Sequence, residues 1–233
     1  MGKGQSAGID PGQYAQPPGR GEWLWNRPVA AAQATLILGH GAGAPMDSEF
    51  MTQMAEMLAA RGVAVLRFEF DYMAARRLDG KKRPPNPQAK LLETWRGVYA
   101  RVRQQVAGPL AIGGKSMGGR MASLLADQLG AAALVCLGYP FYAAGKPDKP
   151  RIAHLAELHT PTLIVQGERD ALGDLQTVTG YQLSTAITLH WLASGDHDLK
   201  PLKRSGFSHE QHMRGAADSV AGFLARQGRQ PAS

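Results

Sequence analysis

Three side chains far apart in this 233-residue sequence have the types needed for acyl transfer: Ser116, Asp170 and His197. A serine hydroxyl is a weak nucleophile until an imidazole takes its proton. The imidazole in turn needs a carboxylate to fix its tautomer and stabilise its cation. Ser116 lies in Gly114-Lys115-Ser116-Met117-Gly118, a Gly-x-Ser-x-Gly pattern with a short apolar run before it and a helix-forming run after it. Strand, sharp turn and helix therefore come in the order of a nucleophile elbow. Such a turn needs glycine at 114 and 118, where a Cβ would strike the neighbouring strand or helix. It lifts the hydroxyl clear of the strand, with the Met117 amide at a helix N-terminus ready to meet an oxyanion.

A second amide for that oxyanion comes from the loop His40-Gly41-Ala42-Gly43, whose glycines let the backbone approach closely; Ala42 is the expected donor. His40, Gly41 and Tyr139 are the candidate pocket residues, with His40 read as a buttress of its loop rather than a second base. Singly, each feature has a plainer reading. Gly-Lys-Ser also occurs in phosphate-binding P-loops, but that pattern needs glycine at position 109, which is Pro109; Gly108 is out of register. Asp170 alone reads equally well as a turn or capping aspartate, and His197 as a surface histidine between two acids. What joins the three is their placement at strand ends.

That placement follows from the hydrophobic pattern. Apolar runs at 34–39, 63–70, 110–115, 132–138, 162–167 and 187–192 read as strands, most of them apolar on both faces, and 22–25 as a short edge strand. Helical spacing is read over 47–61, 88–106, 120–129, 175–183 and 208–226, while 76–87 reads as a basic, proline-rich loop. Strands alternating with helices at this spacing predict an α/β fold, a mostly parallel sheet with helices on both faces and a minimal lid or none. Such sheets bind ligands at the carboxyl ends of their strands, where Ser116, Asp170 and His197 all fall. Their order along the chain is that of an α/β-hydrolase triad. His209 and His212 are expected on the surface of the last helix or at its start, outside the site. Residues 1–20, rich in Gly, Pro, Gln and Ser, read as a tail, and 21–233 as one domain.

Composition narrows the partners. The net charge of +7 comes from dispersed basic residues with no nucleic-acid-binding motif, so no nucleic acid is expected. Arg76, Arg77, Lys81, Lys82, Arg83, Lys146, Lys149 and Arg151 read as two solvated loops. No apolar run is long enough to span a membrane and the first residues lack a signal peptide, so a cytoplasmic protein without a membrane partner is expected. The loose myristoylation pattern at residues 1–6 is read as coincidence. Cys136, the single cysteine, reads as a small buried hydrophobe. The chemistry requires no metal and no other cofactor, and its partner is a small-molecule acyl substrate; the sequence does not specify an oligomeric state.

Several blocks together resemble a known family: Gly39-His40-Gly41-Ala42-Gly43-Ala44-Pro45-Met46-Asp47, Gly114-Lys115-Ser116-Met117-Gly118-Gly119-Arg120, Leu137-Gly138-Tyr139-Pro140-Phe141, Gln166-Gly167-Glu168-Arg169-Asp170 and Gly195-Asp196-His197-Asp198-Leu199-Lys200-Pro201. They are similar to the small α/β-hydrolase-like family that includes bacterial proteins, a testis-expressed relative and a subunit of the non-specific-lethal complex, and more distantly to dienelactone hydrolases. The resemblance implies the α/β-hydrolase fold with Ser116, Asp170 and His197 in the triad positions. It implies no particular substrate, and some members serve as complex subunits, so a non-catalytic binding or scaffold protein on the same fold is the alternative function. Two features depart from the pattern. A dienelactone hydrolase has cysteine at the position of Ser116, and Ala171-Leu172-Gly173 stands where Pro-Phe-Gly is expected.

Overall fold

The computed structural model describes residues 22–227. The expected tail over 1–20, with its myristoylation pattern, and the first residue and last six residues of the 21–233 span lie outside the described residues. Seven strands form one sheet: β1 (Leu24–Asn26), β2 (Ala34–Gly39), β3 (Val63–Phe68), β4 (Leu110–Lys115), β5 (Leu134–Leu137), β6 (Thr162–Gly167) and β7 (Ile187–Leu192), in the order β1-β3-β2-β4-β5-β6-β7. β1 runs antiparallel to β3 and every other pairing is parallel.

The continuous apolar runs are explained by burial on both faces. On β2, Ile37 faces one core while Leu36 and Leu38 face the other, and Ile112 and Ala111 divide in the same way on β4. Helices α1 (Glu49–Ala59) and α8 (His209–Gln227) cover one face with Met51, Met54, Leu58, Val220 and Leu224. Helix α3 (Gln88–Arg103) covers the other, where the fully buried Trp95 meets Phe68 edge to face at 4.8 Å. Burying one such aromatic contributes about 1.5–3 kcal/mol, so this helix anchors the sheet beneath the site.

Three local expectations need correction. Arg76 and Arg77 are not on a loop: residues Asp71–Asp79 form helix α2, stopped by Gly80 in the left-handed conformation (φ 71°). Its buried residues, Tyr72, Met73 and Ala74, are consecutive and carry no helical period, which hid the helix. The helix after Ser116 is broken into α4 (Met117–Ser123) and α5 (Ala126–Leu129). His212 is buried in the first turn of α8, so of the two places expected it is the start and not the surface that holds. Between β5 and β6 the described residues hold only the four-residue helix α6 (Ala153–Ala156) and an isolated bridge from Ala143 to Lys146, so nothing there forms a lid. A further short helix, α7 (Leu175–Val178), follows β6.

Candidate active site

The bend after β4 is dictated by its glycines. A Cβ on Gly118 would lie 2.3 Å from the Gly39 carbonyl oxygen, and one on Gly114 would lie 2.5 Å from the same atom. Both distances are impossible for real side chains, so β4, β2 and the start of α4 can close on each other only with hydrogen at these positions. Ser116 pivots between them at φ 50°, ψ −116°, a strained conformation that costs on the order of 1–3 kcal/mol and persists because its surroundings hold it.

The strained residue is where the side chains converge. Ser116 Oγ lies 2.9 Å from His197 Nε2, and His197 Nδ1 lies 2.8 Å from Asp170 Oδ2. Asp170 is fully buried, and its carboxylate also accepts from Gln166 Nε2 and from the Leu172 amide, each at 2.8 Å. Three N–H donors thus satisfy a charge that burial would otherwise penalise. The donor at Leu172 is backbone, so the departure at 171–173 leaves it in place.

Gln166 was not legible as a functional residue. Its side chain sits at the end of β6, accepts from the Tyr139 amide at 2.6 Å and donates to the Tyr139 and Gly173 carbonyls as well as to Asp170. It thereby fixes the loop after β5 and the carboxylate together. Tyr139 itself does not line the cavity: its ring is fully buried, and its hydroxyl lies 3.1 Å from Ser123 Oγ and 3.2 Å from His154 Nε2. Those two residues form a second serine–histidine contact at 2.8 Å. That Ser123 is buried, also donates to the Arg120 carbonyl, and lines no part of the cavity around Ser116. Burial holds the His154 imidazole down to about 4.

The loop that follows β2 is held from outside. His40 is fully buried and does not line the cavity: Nδ1 donates to the Gly41 carbonyl at 2.7 Å while Nε2 accepts from the Phe70 amide at 3.1 Å. Burial keeps this imidazole below its ordinary value, consistent with a neutral ring that donates at one nitrogen and accepts at the other. Helix α2 adds the Tyr72 hydroxyl, which donates to the Ala42 carbonyl at 2.9 Å, and Arg76, which donates to Gly43 at 3.2 Å. Arg77 is fully engaged, with two bonds to Asp47 at 2.8 Å and two to Glu69. Those hydrogen bonds hold the Asp47 carboxyl below the usual range. The basic segment is therefore partly a structural clamp.

Around Ser116 opens a cavity of about 320 Å³ lined by Gly41, Ala42, Phe50, Met51, Lys115 and His197 among others. That is the lower end of the range of small-molecule sites, roughly 300–1,000 Å³. Ala42 thus stands at the wall, and Met117 opens α4, where the first amides have no partner within the helix. Among the described residues no cluster of His, Cys, Asp and Glu could hold a metal ion, and no helix is long and apolar enough to cross a membrane.

With this geometry in view, the comparison with known families is direct: residues 32–225 match the alpha/beta hydrolase domain. The chain belongs to that family. No curated protein matches this hydrolase domain, but solved structures do. An alpha-beta serine hydrolase homologue from Coxiella burnetii is 19% identical with a TM-score of 0.63, covering 88% of this chain and 89% of that one. A serine hydrolase without a lid from Xanthomonas campestris is 21% identical, TM-score 0.61, covering 91% and 90%. A dienelactone hydrolase from Anabaena variabilis is 19% identical, TM-score 0.62, covering 88% and 90%. What is shared at such identities is the alpha/beta hydrolase fold.

Proposed function

We propose that this hydrolase domain is a serine hydrolase that cleaves a small ester, thioester or related acyl compound through an acyl-enzyme. The observation that carries the reading is the continuous chain of contacts from Ser116 Oγ through His197 to Asp170, at 2.9 and 2.8 Å. Ser116 Oγ attacks the acyl carbon as His197 Nε2 takes its proton, and Asp170 stabilises the imidazolium. The Met117 and Ala42 amides receive the oxyanion. As the tetrahedral intermediate collapses, the bond to the leaving group breaks and Nε2 returns the proton to that group. A water then repeats the sequence on the acyl-serine and releases the acid. Met117 and Ala42 are proposed from their positions, one opening α4 and the other on the cavity wall.

The cavity supports a short acyl group: Ala42, Ala44, Phe50 and Met51 give it apolar walls, and among the described residues no cap encloses it. A cytoplasmic location and kinship with the testis-expressed and non-specific-lethal-complex relatives belong to the same proposal and rest on the sequence. The test is turnover of short-chain p-nitrophenyl esters, thioesters and lactones by the wild type and by Ser116→Ala. Loss of about 10⁴-fold or more in kcat is expected from removing the nucleophile. Equal turnover by both proteins would refute the role of Ser116. No turnover on any substrate class would favour the scaffold alternative.

A further inference from the structure

The residue before the nucleophile has a side chain that the acyl-transfer chemistry alone does not require. Lys115 ends β4 with only 7% of its surface exposed, yet it reaches the cavity that holds Ser116 and His197. Its Nζ donates to the backbone carbonyl of His197 at 2.7 Å and pairs with the Asp198 carboxylate at 3.3 Å. The Phe50 ring centroid lies 5.4 Å from the same atom. Burial lowers the Lys115 pKa from its ordinary value, while Asp198 and the more distant Asp170 and Asp196 work against that. An ammonium taken this far out of water is a costly way to fill space that an apolar side chain could occupy, so its value must lie in what it holds.

We infer that Lys115 is a positioning residue: its ammonium ties the loop carrying His197 to the strand that ends at Ser116 and so keeps the imidazole in register with the nucleophile. The inference rests on the serine-hydrolase reading and extends it. The loop is otherwise fastened to itself, to α8 and, at Ser194 and Gly195, to Glu168 and Arg169 after β6. Asp196 Oδ1 accepts from the Asp198 and Lys200 amides, His209 contacts the Asp198 carbonyl and His212 the Leu199 carbonyl. Those bonds set the shape of the loop and its seat on α8. The Lys115 bond is different because it spans from the residue next to Ser116 to the residue that bears the base. It is charge-assisted, hence short and directional. A Cβ on Gly138 would stand 2.7 Å from the His197 carbonyl oxygen, 3.2 Å from Lys115 Nζ and 3.4 Å from His197 Nδ1. The absence of a side chain there leaves room for the tie.

The experiment is Lys115→Met in the full chain, read by ester kinetics, thermal melting and the low-field proton resonance of the His197 Nδ1–H bonded to Asp170. The methionine fills the space, and Asp198, more than half exposed, is not left as a buried charge. Expected is a fall in kcat of about tenfold or more with little change in KM, since a misplaced catalytic group slows the chemical step. The low-field resonance should broaden or vanish while melting shifts by only a few degrees. Unchanged kcat, an unchanged resonance, or a rise in KM at constant kcat would each overturn the inference. Should Lys115→Met not fold, Asp198→Asn removes the ion pair and spares the lysine. A several-fold loss of kcat at constant KM is expected there, and no loss overturns the idea. If the wild type hydrolyses nothing, it is the hydrolase reading that fails, whereas the resonance still tests whether Lys115 holds the ring.

Discussion

The bend at Ser116 and the loop carrying His197 are built by opposite means. At the elbow the backbone does the positioning: Gly39, Gly114 and Gly118 pack so closely that no side chain fits, and Ser116 is forced to φ 50°. In the His197 loop side chains do it. Lys115, Asp196, His209 and His212 each hold a backbone group of residues 197–200, and Gln166 holds the carboxylate partner, Asp170. A site fixed by absent side chains tolerates no additions, whereas one fixed by many present ones weakens by degrees. The two regions should therefore fail differently under substitution.

The largest expected effect is at the elbow. Gly118→Ala places a methyl 2.3 Å from the Gly39 oxygen and 2.5 Å from its carbon. A loss beyond about 4 kcal/mol in denaturant unfolding is expected, and near-normal stability would break the contrast. His212→Leu strips the buried acceptor Leu199 O of its partner and should cost about 1–3 kcal/mol in the same assay, with the fold retained. Tyr72→Phe removes only the hydroxyl that holds the Ala42 carbonyl. About 0.5–1.5 kcal/mol is expected, seen as a loss of kcat of up to roughly tenfold with little change in melting.

A further effect concerns pH. His154 is held neutral by burial, its pKa lowered from 6.5 to about 4. Between those values the unfolded chain binds the proton and the folded one does not, so stability falls as pH drops through that window. His40 and His190, also lowered by burial, add to the same trend. Melting temperature measured from pH 7 to 4 should decline less steeply in His154→Gln than in the wild type. Parallel curves would show that His154 contributes nothing to acid sensitivity.

The same contrast explains what the sequence discloses. The glycine spacing around Ser116 is local, and the apolar runs of the central strands are continuous, so both can be read without coordinates. Asp170 and His197 are readable because each follows a strand, and that alone narrows where they can go. Lys115 and Gln166 look like ordinary members of strands; their roles depend on partners such as His197 O and the Tyr139 backbone, far along the chain. Tyr139, expected in the pocket, contributes its backbone and turns its ring inward. Helix α2 escapes because its sequence holds it by Arg77 and Tyr72 contacts to distant residues rather than by an apolar stripe.

Covalent labelling with a fluorophosphonate, followed by peptide mapping, tests the central claim most directly. The adduct is expected on Ser116 in the wild-type chain, and labelling should vanish in Ser116→Ala and fall sharply in His197→Ala. An adduct on Ser123, or no adduct on a folded wild-type chain, would contradict the account.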